Sequence, residues 1–176
     1  MHPPLISVIM PSYLGEYKGA AKNRQQKFMR AVDSFLNQIF TDAELIIISD
    51  GCPDTNRIVK SRYKNQVNKK IITLIELERH ELFTGSVRQA GIDAAKGKIL
   101  CNLDTDDSFT PAHLLNISKT FNPDKYDWAW FGYYRNLDEL KTQGHTEFKH
   151  GDIKDLCTAN VVWRAGLHGV TWNNCN

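Results

Sequence analysis

Short apolar runs alternate with helix-like segments along the first two thirds of this chain. Four runs rich in β-branched residues are typical of buried strands. They span residues 5–10, 44–49, 71–77 and 99–103. Three segments with helical character lie between them, at residues 24–40, 55–65 and 86–96. This alternation predicts an α/β fold with a mostly parallel central sheet and helices on both faces.

The last third of the chain has a weaker pattern. Pro111 favours a helix over residues 111–121, with Thr110 as its N-cap. Residues 128–134 read as an aromatic strand, and residues 159–163 as a further strand. Residues 142–150 fit either a hairpin or a loop. Because no linker, internal repeat or low-complexity segment interrupts the chain, we expect a single domain over residues 1–176.

Composition excludes several classes of protein. The chain has 176 residues and a net charge of +2, which gives no electrostatic reason to expect nucleic acid as a partner. No uncharged stretch is long enough to span a bilayer, and the N-terminus is not typical of a signal peptide. The four cysteines are far apart, which argues against a zinc site and fits a reducing compartment.

Three carboxylates follow the fourth apolar run. Asp104, Asp106 and Asp107 fall within four positions, where a buried strand would emerge. Like charges this close repel, and a hard divalent cation such as Mg²⁺ or Mn²⁺ would neutralise them. The alternative interpretation is a solvated acidic turn.

Other polar residues are expected at the same sheet edge, because ligands of parallel α/β sheets bind beyond the carboxyl ends of the strands. Ser12 and Tyr13 follow the first strand, and Asp50 follows the second. Asp50 could accept hydrogen bonds from a base or a ribose, or it could close an Asx-turn. Arg88 could hold a diphosphate or pair with an aspartate, or lie on a helix surface.

Two common phosphate-binding motifs are absent. The glycine-rich dinucleotide fingerprint does not follow the first strand, and the P-loop pattern does not occur in the sequence. A metal held by aspartates is the natural substitute, because it can clamp a diphosphate and stabilise it as a leaving group.

Four motifs together resemble family 2 glycosyltransferases of the GT-A fold. They are Ser7–Tyr13 (SVIMPSY), Glu44–Gly51 (ELIIISDG), Arg88–Gly97 (RQAGIDAAKG) and Leu103–Asp107 (LDTDD). Each motif is weak alone, but their order and spacing match the family over about the first 115 residues. The family often has two acidic residues where Ser49 and Asp50 stand, and an asparagine where Gln89 stands.

The resemblance implies a role for each matched residue. Pro11, Ser12 and Tyr13 would lie beside the donor's base and ribose, and Asp50 would bind the base, which is typically uracil. Arg88 would lie near the diphosphate.

The resemblance also divides the roles of the three carboxylates. Asp104 and Asp106 would contact the ribose or the donor sugar, and Asp107 would bind the metal directly, with Asp106 as the alternative ligand. His168 is a weaker candidate for the metal and more simply a loop histidine.

The function implied by the resemblance is metal-dependent, inverting transfer of a sugar from a nucleoside-diphosphate sugar, most simply a UDP-sugar, to a hydroxyl acceptor. We expect a glycan or lipid-linked acceptor in surface polysaccharide or glycan synthesis. The expected location is cytoplasmic, at the inner face of the membrane, with any membrane association peripheral.

The catalytic base of the family is usually the aspartate of a downstream Glu-Asp pair. No such pair follows Asp107. We therefore expect a truncated chain, with the donor half at residues 1–110 and an incomplete acceptor half at residues 111–176. Asp152 and Asp155 are weak substitutes for the base, and a helix cap or an exposed face explains them more simply.

Two other functions remain open at this stage. The missing base leaves a nucleotide-binding domain without turnover as the main alternative. A nucleotidyltransferase that makes nucleotide sugars is the second, although residues 12–17 do not match the glycine-rich basic loop of that class.

Overall fold

The computed structural model describes residues 2–79, 84–131 and 161–167. Within them the chain forms six strands and five helices. The strands are β1 (Ile6–Ser12), β2 (Ala43–Asp50), β3 (Ile72–Leu77), β4 (Ile99–Asn102), β5 (Trp128–Trp130) and β6 (Val161–Arg164). The helices are α1 (Arg24–Leu36), α2 (Pro53–Arg62), α3 (Lys64–Asn68), α4 (Thr84–Ala94) and α5 (His113–Thr120).

All six strands belong to one sheet with the order β3-β2-β1-β4-β6-β5. The first four are parallel, with β1 paired to β2 on one side and to β4 on the other. Strand β6 runs antiparallel to both β4 and β5. The predicted α/β class with a mostly parallel sheet is therefore confirmed.

Alternation along the strands divides the core into two layers. Val8 and Met10 of β1 pack into the larger cluster with α1, α2 and α5, whereas Ile9 packs with Ile48 and with Val87 of α4. Helices therefore cover both faces, as predicted. Helix α4 can approach the sheet closely because Gly91 has no side chain. A Cβ at this position would lie 2.7 Å from Ile9 and 2.6 Å from Ile48.

All four predicted helices have different bounds, and α4 spans Thr84–Ala94 instead of residues 86–96. Helix α1 ends at Leu36 rather than at residue 40, and Ile39 is 64% exposed instead of continuing the apolar face. The Ile39 N–H donates to the carbonyl of Pro111 at 3.0 Å, which draws the chain away from the helix axis. The single helix predicted over residues 55–65 is two helices, which meet at the buried Tyr63.

The predicted N-cap at Thr110 is wrong. Helix α5 begins at His113 with Ala112 as its N-cap, and no side chain caps it. The Thr110 carbonyl instead accepts hydrogen bonds from the His113 N–H at 3.0 Å and from Gln38 Nε2 at 2.8 Å.

Strand bounds also shift. β1 continues through Pro11 to Ser12, which is tolerated because its pairing with β4 ends at Ile9 and only β2 flanks Pro11. β5 ends at Trp130, and the predictions for residues 132–134, 142–150 and 159–160 lie outside the described residues. Among the helices described, none is long and apolar enough to cross a membrane.

Packing around His113 makes the stability of the fold depend on pH. The imidazole stacks on Phe109 with ring centroids 4.3 Å apart, and Phe131 lies edge-on to it at 6.0 Å. Desolvation by these surroundings lowers the pKa of His113 from 6.5 to about 4. Since the unfolded chain then binds a proton at higher pH than the folded chain, stability is lost as the pH falls from 6.5 toward 4.

We predict that His113→Phe reduces this acid sensitivity while it keeps the aromatic stack. Urea denaturation at pH 7 and pH 5 should show that the wild type loses about 2 kcal/mol more than the variant over this interval. The comparison between the two proteins cancels the contributions of the other titrating groups. An equal loss in both proteins would contradict the assignment to His113.

Candidate functional site

The carboxyl ends of the four parallel strands meet at one edge of the sheet. Ser12 at the end of β1 pairs with Ser49 of β2, and Asp50 pairs with Leu77 at the end of β3. Beyond β4, the Leu103 N–H donates to the carbonyl of Ile9 at 3.0 Å. The sequence-predicted residues that follow these strands therefore share one edge.

Asp50 and Tyr13 are joined by an arginine that the sequence analysis missed. Asp50 is only 5% exposed, and its carboxylate accepts a hydrogen bond from Arg79 Nη1. The guanidinium carbon of Arg79 also lies 3.5 Å from the centroid of the Tyr13 ring, within the range of a cation–π contact. The sequence could have indicated Arg79, because it lies two residues beyond β3, at the same sheet edge.

Gly51 permits the close approach of Arg79 to this turn. Its φ is +57°, in the left-handed region, and a Cβ there would lie 2.6 Å from the backbone nitrogen of Arg79. The Gly51 N–H donates to the Leu77 carbonyl at 3.0 Å. Glycine is therefore required both by the conformation and by the space.

Hydrogen bonds tie the loop after β1 to the start of α2. Ser12 Oγ lies 2.8 Å from Thr55 Oγ1, and the Leu14 N–H donates to Cys52 Sγ at 3.2 Å. Burial alone would raise the pKa of the Cys52 thiol, but hydrogen bonds from Thr55, Leu14 and Asp54 outweigh it and lower the pKa. These contacts fix Tyr13, between Ser12 and Leu14, relative to the turn at Asp50.

Arg88 reaches the carboxylate cluster from α4. It is buried, and its Nη2 donates to Asp104 Oδ1 at 2.8 Å. Of the alternatives open from the sequence, the structure shows the pairing with an aspartate and excludes a surface position. This ion pair holds the Asp104 side chain in place next to the end of β4.

The other two carboxylates of the cluster are exposed. Asp106 and Asp107 lie in a turn in which the Asp107 N–H donates to the Asp104 carbonyl at 3.1 Å. Partial burial, together with the charges of Asp104 and Asp106, raises the pKa of Asp107 to about 6, and the charge of Arg30 opposes that rise. Desolvation is the largest cause of the raised pKa, and the neighbouring negative charges add to it.

The donor set of this turn fits a hard divalent cation, because it consists of carboxylate oxygens with no sulfur or nitrogen ligand. Over residues 2–79, 84–131 and 161–167, no three His, Cys, Asp or Glu side chains are grouped so that they could hold a metal ion. Mg²⁺ sites commonly use one or two carboxylates and take further oxygens from substrate phosphates. Asp106 and Asp107 suit that arrangement.

Three predicted site residues cannot be placed. Asp152 and Asp155, the candidates for a catalytic base, and His168, the weaker metal candidate, lie outside the described residues. Pro11 lies within β1, opposite Ile48.

Comparison with solved structures shows that the fold is that of GT-A glycosyltransferases. A crystal structure of Staphylococcus aureus TarS 1-349 in complex with UDP-GlcNAc matches with a TM-score of 0.67 at 17% identity, covering 91% of this chain and 45% of that TarS fragment. The mannosyltransferase PcManGT of Pyrobaculum calidifontis, in complex with GDP-Man and Mn²⁺, matches with a TM-score of 0.60 at 17% identity, over 79% of this chain and 39% of PcManGT.

The family follows from the sequence comparison. The model of glycosyl transferase family 2 matches residues 7–169, so this chain belongs to that family. An uncharacterized glycosyltransferase of Bacillus subtilis, EpsJ, is 27% identical over 142 residues, which are 79% of this chain and 37% of EpsJ. The chain therefore spans less than half the length of each of these three proteins.

We predict that Gly51→Ala destabilises the fold more than Gly19→Ala does. Both glycines have positive φ, so both substitutions introduce strain of about 1–2 kcal/mol. Only at Gly51 does the new Cβ meet backbone, since nothing lies within 4 Å of a Cβ at Gly19. Urea denaturation should show an excess loss of about 1–3 kcal/mol for Gly51→Ala. Equal losses would mean that the turn and Arg79 move apart freely.

Proposed function

We propose that this chain carries the donor-binding half of a metal-dependent, inverting glycosyltransferase that uses a UDP-sugar. The observation that carries the proposal is the common sheet edge at which Asp50, Arg79 and Tyr13 lie beyond β1–β3, while the carboxylate turn lies beyond β4. The end of this edge with Asp50, Arg79 and Tyr13 suits a nucleobase. The end with the carboxylate turn suits a diphosphate with its cation. Residues 1–110 are assigned to the donor half and residues 111–176 to part of the acceptor half.

The base-binding end suits uracil. Uracil presents an N–H between two carbonyl oxygens, so the Asp50 carboxylate can accept from the N–H while a guanidinium donates to a carbonyl. The Tyr13 ring, already contacted by the planar guanidinium of Arg79 at 3.5 Å, offers a face for stacking. TarS in complex with UDP and with UDP-GlcNAc supports uridine, whereas PcManGT with GDP-Man makes guanine the first alternative to test.

The diphosphate end combines a cation and an arginine. Asp107, with Asp106 as the alternative, would hold Mn²⁺ or Mg²⁺, which offsets the charge that develops on the departing diphosphate. Arg88 lies behind Asp104 and orients it toward the ribose or the donor sugar, and its guanidinium adds positive charge to this region. PcManGT in complex with GDP-Man and Mn²⁺ supports a divalent metal beside a nucleotide-sugar donor.

Transfer itself requires a base for the acceptor hydroxyl. In an inverting reaction the acceptor oxygen attacks the anomeric carbon from the side opposite the diphosphate, while a carboxylate removes the hydroxyl proton. Asp152 and Asp155 stay the predicted candidates. A glycan or lipid-linked acceptor in surface polysaccharide synthesis is proposed, at the cytoplasmic face of the membrane. The free thiols of Cys52 and Cys101 support a reducing compartment.

We predict metal-dependent binding of UDP to the chain. Calorimetric titration of UDP with Mn²⁺ should show binding that EDTA weakens. Asp107→Asn should weaken the Mn²⁺-dependent part of UDP binding by about tenfold or more. Asp50→Asn should weaken UDP binding by about tenfold, because it replaces the acceptor for the base N–H. Asp54→Asn is the matched control, since Asp54 lies only four residues from Asp50 and pairs with Arg57 at the exposed surface.

Different outcomes separate the alternatives. No binding of UDP, GDP or dTDP would contradict the donor site altogether. Tighter binding of GDP than of UDP would retain the site and overturn the choice of base. Binding of a UDP-sugar without release of UDP, with or without acceptor, would favour a nucleotide-binding domain without turnover over a transferase.

A further inference from the structure

Three polar side chains beside the core face of α1 contact the segment that carries the carboxylates. Arg30 and Ser34 lie on α1, and Gln38 lies two residues beyond its end. Their spacing of four places Arg30 and Ser34 on one face of the helix. We call these three residues the polar stripe, and residues 103–112, which connect β4 to α5, the β4–α5 loop.

The polar stripe binds the backbone of the loop and of the first turn of α5. Arg30 Nη2 donates to the Asp106 carbonyl. The Phe109 N–H donates to Ser34 Oγ at 3.1 Å. Gln38 Nε2 donates to the Thr110 carbonyl at 2.8 Å, and Gln38 Oε1 accepts from the Leu114 N–H at 2.9 Å.

These bonds fix the path of the loop regardless of its side chains. Gln38 is only 7% exposed and uses both ends of its amide, so its removal would leave buried backbone groups of Thr110 and Leu114 without these partners. Ser34 Oγ also donates to the Ala31 carbonyl at 2.7 Å, which fixes its rotamer. The downstream half of the loop is therefore held to a rigid helix.

The upstream half of the loop contains the carboxylates, which repel one another. Asp104 is held by Arg88, and one backbone bond joins Asp107 to Asp104. The polar stripe contacts this upstream half through the hydrogen bond from Arg30 to the Asp106 carbonyl. A divalent cation needs its oxygen ligands at defined distances, so a loop that had to gather the carboxylates on binding would bind more weakly than one already held.

We propose that the polar stripe positions Asp106 and Asp107 for the divalent cation, by holding the β4–α5 loop against α1. This inference rests on the proposed function in one respect, namely that a divalent cation binds at these two carboxylates. The stripe residues do not ligate the metal and act through the loop, so they are positioning residues.

The test compares Ser34→Ala with Ser118→Ala. Ser34→Ala removes the acceptor for the Phe109 N–H without changing the charge near the carboxylates, which Arg30 variants would change. Ser118 Oγ makes an equivalent bond inside α5, to the Leu115 carbonyl at 2.9 Å, and is also partly buried. The affinity for Mn²⁺ alone is measured from the free-Mn²⁺ electron paramagnetic resonance signal, at a temperature where all variants are folded.

We expect Ser34→Ala to bind Mn²⁺ about tenfold more weakly than the wild type, and Ser118→Ala to bind like the wild type. Ser34→Thr keeps the hydroxyl and should restore most of the affinity. Gln38→Met, which has a similar length but neither hydrogen bond to the loop, is the second variant and should also weaken Mn²⁺ binding. Thermal unfolding is recorded for each variant to separate stability from affinity.

Two results would overturn the inference in distinguishable ways. Unchanged Mn²⁺ affinity in Ser34→Ala and Gln38→Met, with binding still lost in Asp107→Asn, would leave the proposed cation site intact and make the stripe purely structural. Absence of Mn²⁺ binding in the wild type, both without and with UDP, would remove the cation site, and the inference with it.

Discussion

The parallel pairing of β1 with two neighbours is the constraint on which the rest of the structure depends. β1 pairs with β2 over its whole length and with β4 through Ile9. A shift of one residue would exchange the faces to which Val8 and Ile9 point and would disrupt both layers of the core. The same register brings Ser12, Asp50 and the loop after β4 to a common edge. The packing of the core and the geometry of the site are therefore set by the same hydrogen bonds.

Charge at this edge is balanced by arginines from different elements. Asp50 pairs with Arg79, which follows β3, and Asp104 pairs with Arg88 of α4. Such pairs contribute little net stability, because the desolvation of both ions offsets their attraction. Their effect is to hold two carboxylates in fixed places, while desolvation and the charges of Asp104 and Asp106 raise the pKa of Asp107 to about 6. Cation affinity should accordingly concentrate at the exposed side of the turn.

The sequence predicted what depends on local periodicity and missed what depends on distant contacts. Buried strands and the layers they form follow from apolar alternation, so the fold class and the shared edge were predictable. The end of α1 was not, because the bond from the Ile39 N–H to the Pro111 carbonyl joins residues 72 positions apart and takes the place of a helical bond at Ile39. Arg79 was missed for the same reason, since its pairing with Asp50 spans 29 positions.

The two ends of the site differ in how much they can contribute to donor affinity. At the base end, the guanidinium of Arg79 already contacts the Tyr13 ring and the Asp50 carboxylate, so a base that took up those contacts would replace interactions rather than add them. At the carboxylate turn, desolvation and the neighbouring carboxylates raise the pKa of Asp107, so a cation would offset the repulsion there and its binding would add attraction. In the proposed complex the base end supplies mainly discrimination between bases, and the diphosphate with its cation supplies most of the affinity. In that complex, the placement of the carboxylate loop by α1 would contribute to donor binding through the cation.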